Sequence, residues 1–366
     1  MVTRIMIMAG GTGGHVFPAL AVAQELQARG VEVIWMGTRR GIEATVVPAA
    51  GIPIEWVSIS GLRGKGVVSW LLAPLKLLSA LCQSLMILMR CRPMAVLGMG
   101  GFVAGPGGLM TWLLRKPLLI HEQNAIAGLT NRLLARLATK TMQAFPGALQ
   151  QKTDPQLVGN PVRAEIAALP SPPQRFEKRS GAIRLLVLGG SLGAQSLNRV
   201  MPAAMKMLPE TERPEIWHQT GARLIDEARN GYRDAGVAAR IEPFIDDMAE
   251  AYGWADLVLC RAGALTIAEL SVAGVAALLV PFPYAVDDHQ AHNAAFLVEG
   301  GAAILLRQEA LSAEQLSAWW QALLQQHGNN DGVRTHLLGM AINARALAKP
   351  DAVQRVADLC MEVAHA

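Results

Sequence analysis

Aromatic residues are scarce in this chain, at 5%, charged residues make up only 17%, and its four cysteines have none of the spacings that build a metal site or a disulfide framework. Cys82, Cys91, Cys260 and Cys360 contain no CxxC pair, so reduced and mostly buried thiols are expected. No run of basic residues interleaved with aromatics is present, and nucleic acid is therefore not an expected partner despite a formal net charge of +4. The opening MVTRIMIMAGG enters a glycine turn after a few apolar residues, too short a run for an export signal.

Apolar residues are abundant, at 52% of 366, which is enough for two ordinary domains with separate cores. Residues 4–9 have the length and character of a buried strand, 10–14 form the loop Gly-Gly-Thr-Gly-Gly, and a helix follows in which Pro18 suits the first turn and which Gly30 ends. Residues 31–36 then read as a second, parallel strand. The same order recurs as a strand at 183–188, a glycine loop at 189–193 and a helix at 194–208. The fold class is therefore α/β, with two Rossmann-like domains. Residues 169–181, rich in proline, charge and small side chains, are expected to form no packed element and to contain the boundary. Further buried strands are expected at 95–98, 118–121, 257–260 and 277–281. The polar and glycine motifs follow such strands, which would bring them to one central cleft.

A glycine loop entering a helix presents backbone N–H groups and the positive end of the helix dipole, and a diphosphate is the natural ligand for that arrangement. Three such loops, at 10–14, 98–101 and 189–193, make structural turns alone a poor explanation. The dinucleotide fingerprint fails, because Val16 stands where Gly or Ala is required and 35–38 carries no ribose-binding acid. A P-loop fails too, because Gly66 follows Gly64-Lys65 and Ile59 stands at the required upstream glycine. Asp-x-Asp is absent, so the usual carboxylate pair for a diphosphate-bound metal is missing and no metal or other cofactor is expected.

The ordered set Gly10-Gly11-Thr12-Gly13-Gly14-His15, Ile59-Ser60-Gly61-Leu62-Arg63-Gly64-Lys65-Gly66, Gly98-Met99-Gly100-Gly101, His121-Glu122-Gln123-Asn124, Gly159-Asn160-Pro161-Val162-Arg163 and Gly189-Gly190-Ser191 resembles the MurG family of peptidoglycan N-acetylglucosaminyltransferases. Phe244-Ile245-Asp246-Asp247-Met248, Arg261-Ala262-Gly263-Ala264-Leu265-Thr266-Ile267-Ala268-Glu269 and Asp288-His289-Gln290 extend the resemblance over almost the whole chain. It implies a GT-B fold: an acceptor- and membrane-binding domain at 1–164, a UDP-GlcNAc-binding domain at 165–340, and a final helical stretch, 341–366, packed back on the first. It also implies an inverting transfer of GlcNAc from UDP-GlcNAc to the C4 hydroxyl of undecaprenyl-diphospho-MurNAc-pentapeptide (lipid I). Other cell-wall synthesis proteins are potential partners, at the cytoplasmic face of the inner membrane.

By the same resemblance Ile245 would meet uracil through its backbone, Glu269 the ribose hydroxyls, and Ser191 with the turn Ala264, Leu265 and Thr266, continued by Ile267 and Ala268, the diphosphate. Gln290 would contact the sugar. Thr12, Gly13, Gly14, Asn124 and Arg163 would surround the donor or its transferred sugar. Ala262 departs from the Ser expected in several relatives, which puts one phosphate hydrogen bond in doubt.

An imidazole titrates near working pH, so His15 is the candidate general base, with Glu122 in reserve. Helix N-termini and Arg261 or Arg163 would offset the leaving diphosphate. His289 and His292 beside Asp287 and Asp288 read as solvated helix-start residues rather than a metal pair. Residues 67–89 are nearly all apolar, yet Pro74 and Lys76 interrupt them and Arg63, Lys65, Arg90 and Arg92 flank them. A helix lying in the membrane interface fits that pattern better than a spanning one, with a plain buried helix as the alternative. Rival functions are another GT-B UDP-sugar enzyme, such as a 2-epimerase or a transferase for a different lipid, and a non-catalytic UDP-sugar-binding subunit.

Overall fold

A computed structural model describes residues 3–61, 72–149, 154–190 and 193–365. Two compact units emerge, Met1–Arg163 with Lys349–Ala366, and Ala164–Ala348.

The first unit is built on β1 (Arg4–Met8), β2 (Glu32–Gly37), β3 (Ile54–Trp56), β4 (Ala95–Gly98), β5 (Leu118–Glu122), β6 (Lys140–Gln143) and β7 (Gln156–Leu157), all parallel in the order β3-β2-β1-β4-β5-β6-β7. Ile5, Met6, Ile7 and Met8 are all buried, as expected of a central strand covered on both faces. Helix Gly13–Ala28 begins two glycines earlier than its sequence pattern suggests, so Pro18 lies inside it and Gly13, Gly14 and His15 form its first turn. The order reverses between β1 and β4, and the crevice beyond their carboxyl ends receives the segments after β1, β4 and β5.

The second unit carries β8 (Arg184–Leu188), β9 (Glu215–Gln219), β10 (Arg240–Glu242), β11 (Leu257–Cys260), β12 (Ala276–Leu279) and β13 (Ala303–Leu305), parallel in the order β10-β9-β8-β11-β12-β13. Its reversal lies between β8 and β11, which gives the segments after those strands the equivalent position.

Two boundary expectations need correction. Residues 169–181 do form a packed element: Ser171 and Gln174 make a capping box on helix Pro172–Phe176, and Phe176 is buried in the core of the second unit. Arg175 donates to the carbonyls of Tyr252, Ala273 and Gly274, and Arg179 to those of Gly253 and Ala255 and to Asp256. Burial lowers the Arg175 guanidinium to about 10. The segment is therefore fastened to the ends of two helices.

Residues 341–366 are likewise not one element. Helix Asn330–Ala346 packs on helix Ala264–Ala273 in the second unit, and the chain re-enters the first at Lys349. Helix Ala352–His365 alone packs on helix Gly13–Ala28 and β4, burying Val356, Ala357, Cys360 and Val363. Each fully buried valine there contributes about 1.5–3 kcal/mol.

Candidate functional site

In the first unit, the loop after β1 is held by a residue that the motifs did not single out. Glu43, fully buried, accepts from Gly11 N at 3.0 Å through Oε2, and from Thr38 N at 3.0 Å and Thr38 Oγ1 at 2.8 Å through Oε1. A Cβ on Gly10 would stand 2.6 Å from this carboxylate and one on Gly41 1.9 Å, so the glycines make room for the acid. In sequence Glu43 looks like any acid opening a helix, here Glu43–Ala49, and only the fold brings it to a loop 32 residues upstream. The consequence is chemical: the Gly11 amide already serves the Glu43 side chain, which disfavours a phosphate there. The amides of Gly13 and Gly14 remain at the helix start beside the exposed Thr12.

His15 is the third residue of that helix, with Nδ1 3.0 Å from Gln123 Oε1, while Gln123 Nε2 donates to Met99 O at 2.8 Å. Glu122 has a different environment from that of a base. Its Oε1 accepts from Asn124 N (2.9 Å) and Nδ2 (3.3 Å), and its Oε2 from Gly128 N (3.2 Å) and Asn131 Nδ2 (2.9 Å), with 1% of the residue exposed. Four donors occupy both oxygens of this buried carboxylate and tie it to the loop it organises. That leaves His15 as the candidate. His121, fully buried, places Nε2 2.9 Å from Gly159 O, and burial lowers its imidazole to about 4. Asn124 and Arg163 are half-buried.

In the second unit the loop after β8 depends on glycine: a Cβ at Gly193 (φ +77) would lie 2.3 Å from Thr220 O, and one at Gly189 2.7 Å from Ala194 N. Ser191 lies outside the described residues. Ile245 is buried and donates its N–H to Gln219 Oε1 at 3.0 Å, so in this arrangement a backbone contact with a base falls to its carbonyl.

Helix Ala264–Ala273 starts from Gly263 with no side-chain cap and no acid in its first turn, which suits Ala264, Leu265 and Thr266 to an anion. Ile267 is fully buried and packs inward, whereas Ala268 is half-buried. Glu269, on the same helix, is 5% exposed and accepts from Tyr252 Oη at 3.0 Å. Tyr252 was not anticipated; its helix, Met248–Trp254, is fixed by the Asp247 cap on Glu250 N at 2.8 Å.

Arg261 is tied into the surrounding loops. Its guanidinium donates to Val280 O (3.1 Å), Pro281 O (3.2 Å), Ser196 Oγ (2.9 Å) and Gln308 Oε1 (2.5 Å), so it fastens loops and lends charge rather than a fork. Ala262 is fully buried. Gln290, second in helix His289–Glu299, accepts from Phe282 N at 2.9 Å. Among the described residues no group of three or more His, Cys, Asp or Glu could hold a metal ion.

The apolar stretch is helix Ala73–Cys91, the described helix long and apolar enough to cross a membrane by length and composition. Ala80, Ser84, Ile87, Leu88 and Cys91 form its buried stripe. Leu75, Leu78 and Met86 are exposed, at 65%, 58% and 62%, as are Trp112 and Leu113 on helix Ala104–Leu113 packed beside it. A plain buried helix is thereby excluded. Arg63, Lys65 and Trp70 lie outside the described residues.

Residues 5–143 match the glycosyltransferase family 28 N-terminal domain and 184–353 its C-terminal domain. A Nitrosococcus oceani protein named UDP-N-acetylglucosamine–N-acetylmuramyl-(pentapeptide) pyrophosphoryl-undecaprenol N-acetylglucosamine transferase is 57% identical, over 100% of this chain and 99% of its own. An Alkalilimnicola ehrlichii protein of the same name is 54% identical over the whole of both. The crystal structure of Acinetobacter baumannii MurG superposes with a TM-score of 0.84 at 41% identity, covering 98% of this chain and 99% of that one.

Proposed function

This chain belongs to glycosyltransferase family 28, with both domains of the family present, and from that premise we propose that it works as the peptidoglycan N-acetylglucosaminyltransferase. It transfers GlcNAc from UDP-GlcNAc to the C4 hydroxyl of lipid I, forming lipid II for cell-wall biogenesis. The observation that carries the reading is Glu269, a carboxylate buried beside an uncapped helix start and held by Tyr252.

One face of a nucleoside diphosphate explains that arrangement. The carboxylate accepts from vicinal ribose hydroxyls, the Ala264 to Thr266 amides and Ser191 meet the diphosphate, the Ile245 backbone meets uracil, and Gln290 meets the sugar. Thr12, Gly13, Gly14, Asn124 and Arg163 complete the surroundings of the transferred sugar. His15 takes the proton of the acceptor hydroxyl as that oxygen bonds to the anomeric carbon; the bond from that carbon to the diphosphate oxygen breaks, and its electron pair leaves with UDP. The uncapped helix start and the nearby Arg261 charge stabilise the departing anion.

The first unit binds the acceptor and the second the donor. The exposed leucines of helix Ala73–Cys91, with Trp112 and Leu113, lie in the lipid interface at the cytoplasmic face of the inner membrane, and the basic side chains of Arg90, Arg92 and Arg115 approach its anionic headgroups. Leu75→Glu with Leu78→Glu weakens partition onto anionic vesicles and spares UDP binding; unchanged partition contradicts this placement. Radiolabelled GlcNAc supplied as UDP-GlcNAc with a short-chain lipid I analogue tests the activity: label enters the lipid product. Conversion of the donor to an epimer, or UDP-sugar binding without turnover, would defeat the assignment.

A further inference from the structure

We propose that Gln123 is a positioning residue that fixes the tautomer of His15, protonating Nδ1 and leaving the Nε2 lone pair to take the acceptor proton; this rests on the base assigned above. Gln123 ends β5 one residue beyond the strand and is 1% exposed. Its amide has two ends, and the chemistry of its neighbours decides which points where. Met99 O, 2.8 Å away, can only accept, so the NH₂ group must face it. The amide oxygen is then left facing His15 Nδ1, at 3.0 Å.

An amide oxygen can only accept as well, so the proton of a neutral imidazole must sit on Nδ1. Turning the amide over would set oxygen against oxygen at Met99 and leave His15 with the other tautomer. The carbonyl of Met99 therefore specifies, through one side chain, which nitrogen of His15 is basic. Glycine permits the approach: a Cβ at Gly100 (φ +98) would stand 2.8 Å from His15 Nδ1, and one at Gly101 (φ +81) 2.3 Å from Gly10 O.

The choice of amide over carboxylate also has a consequence. A carboxylate at this place would favour the imidazolium and keep the proton on the ring, whereas the neutral amide orients the ring without adding charge. The ionisable groups around it have other commitments. His121 on β5 is neutral through burial, Glu43 is bonded to Gly11 and Thr38, and Glu122 accepts from four donors. During transfer the proton reaches Nε2, and the new positive charge is shared through Nδ1–H with the Gln123 oxygen.

The test is the pH dependence of kcat and KM for the full chain with UDP-GlcNAc and a short-chain lipid I analogue, in Gln123→Leu, Gln123→Glu and His15→Ala. Gln123→Leu lowers kcat about 10²-fold with the donor KM within about twofold. Gln123→Glu keeps an acceptor for Nδ1–H at the cost of opposing its second oxygen to Met99 O; as an ion it stabilises imidazolium, so the acid limb of kcat/KM moves to higher pH and the rate recovers toward the parent above it. A Gln123→Glu limb at the parent's position, or a parental kcat in Gln123→Leu, overturns the proposal and leaves Gln123 a packing residue. Should Gln123→Leu fail to fold, the displacement of the limb in Gln123→Glu decides alone. His15→Ala separates the two layers: parental turnover there removes the base itself, whereas its loss with an unmoved Gln123→Glu limb removes only the tautomer device.

Discussion

Each unit sets a helix start beyond a strand at its reversal of order, β1 in the first and β11 in the second, and on the reading proposed above the two serve opposite purposes. In the first, the buried carboxylate of Glu43 occupies the Gly11 amide, and the helix that follows presents an oriented imidazole. In the second, helix Ala264–Ala273 starts without side-chain cap or acid, and the carboxylate that matters, Glu269, sits farther along the helix. A helix start beyond a strand is a permissive backbone; the side chains placed beside it decide whether it suits base chemistry or anion binding.

The contrast can be broken by changing those charges. Glu43→Leu leaves the Gly11 amide and both Thr38 donors without their acceptor, at a cost of about 1–3 kcal/mol for each group left buried and unpaired. Calorimetry should show the largest loss in the melting of the first unit, and kcat should fall with the displaced His15 while UDP affinity stays near the parent's. A matching loss of UDP affinity would mean that this loop serves the nucleotide after all.

Tyr252→Phe sharpens the other half. It removes one hydrogen bond to a charged acceptor, about 1.5–3 kcal/mol, so the donor KM should rise roughly tenfold or more with kcat little changed. A fall in kcat with an unaltered KM would separate Tyr252 from the donor.

A separate effect concerns acid. Burial lowers His121 of the first unit to about 4 and His218 of the second to about 3, from 6.5. Below pH 6.5 the unfolded chain binds protons that the folded one refuses, so stability falls with pH; the loss due to His121 is complete near pH 4, and that due to His218 continues to about 3. Melting followed between pH 7 and pH 3 should therefore show the second unit still losing stability where the contribution of His121 has levelled. A transition temperature flat from pH 6.5 to 4 would contradict both.

Much of this architecture was legible in the sequence, because central parallel strands read as unbroken apolar runs and glycine marks the turns after them. Residues 95–98 and 257–260 coincide with β4 and β11 for that reason. What was hidden depends on partners distant in the chain. Residues 169–181 have the composition of a linker, yet Arg175 and Arg179 cap helices 74–99 residues away. Glu43, Gln123 and Tyr252 look ordinary until the fold brings them to Gly11, His15 and Glu269. Arg261 showed the converse, a charge beside a phosphate motif whose donors are taken up by carbonyls and side chains.

The division of labour between the two helix starts meets its most direct test in one titration, UDP added calorimetrically to the parent chain, His15→Ala and Glu269→Ala. The account predicts that His15→Ala binds UDP within about twofold of the parent and that Glu269→Ala loses about 10- to 100-fold in affinity, the worth of hydrogen bonds to a charged group. Parental affinity in Glu269→Ala, with the loss appearing in His15→Ala instead, would contradict it.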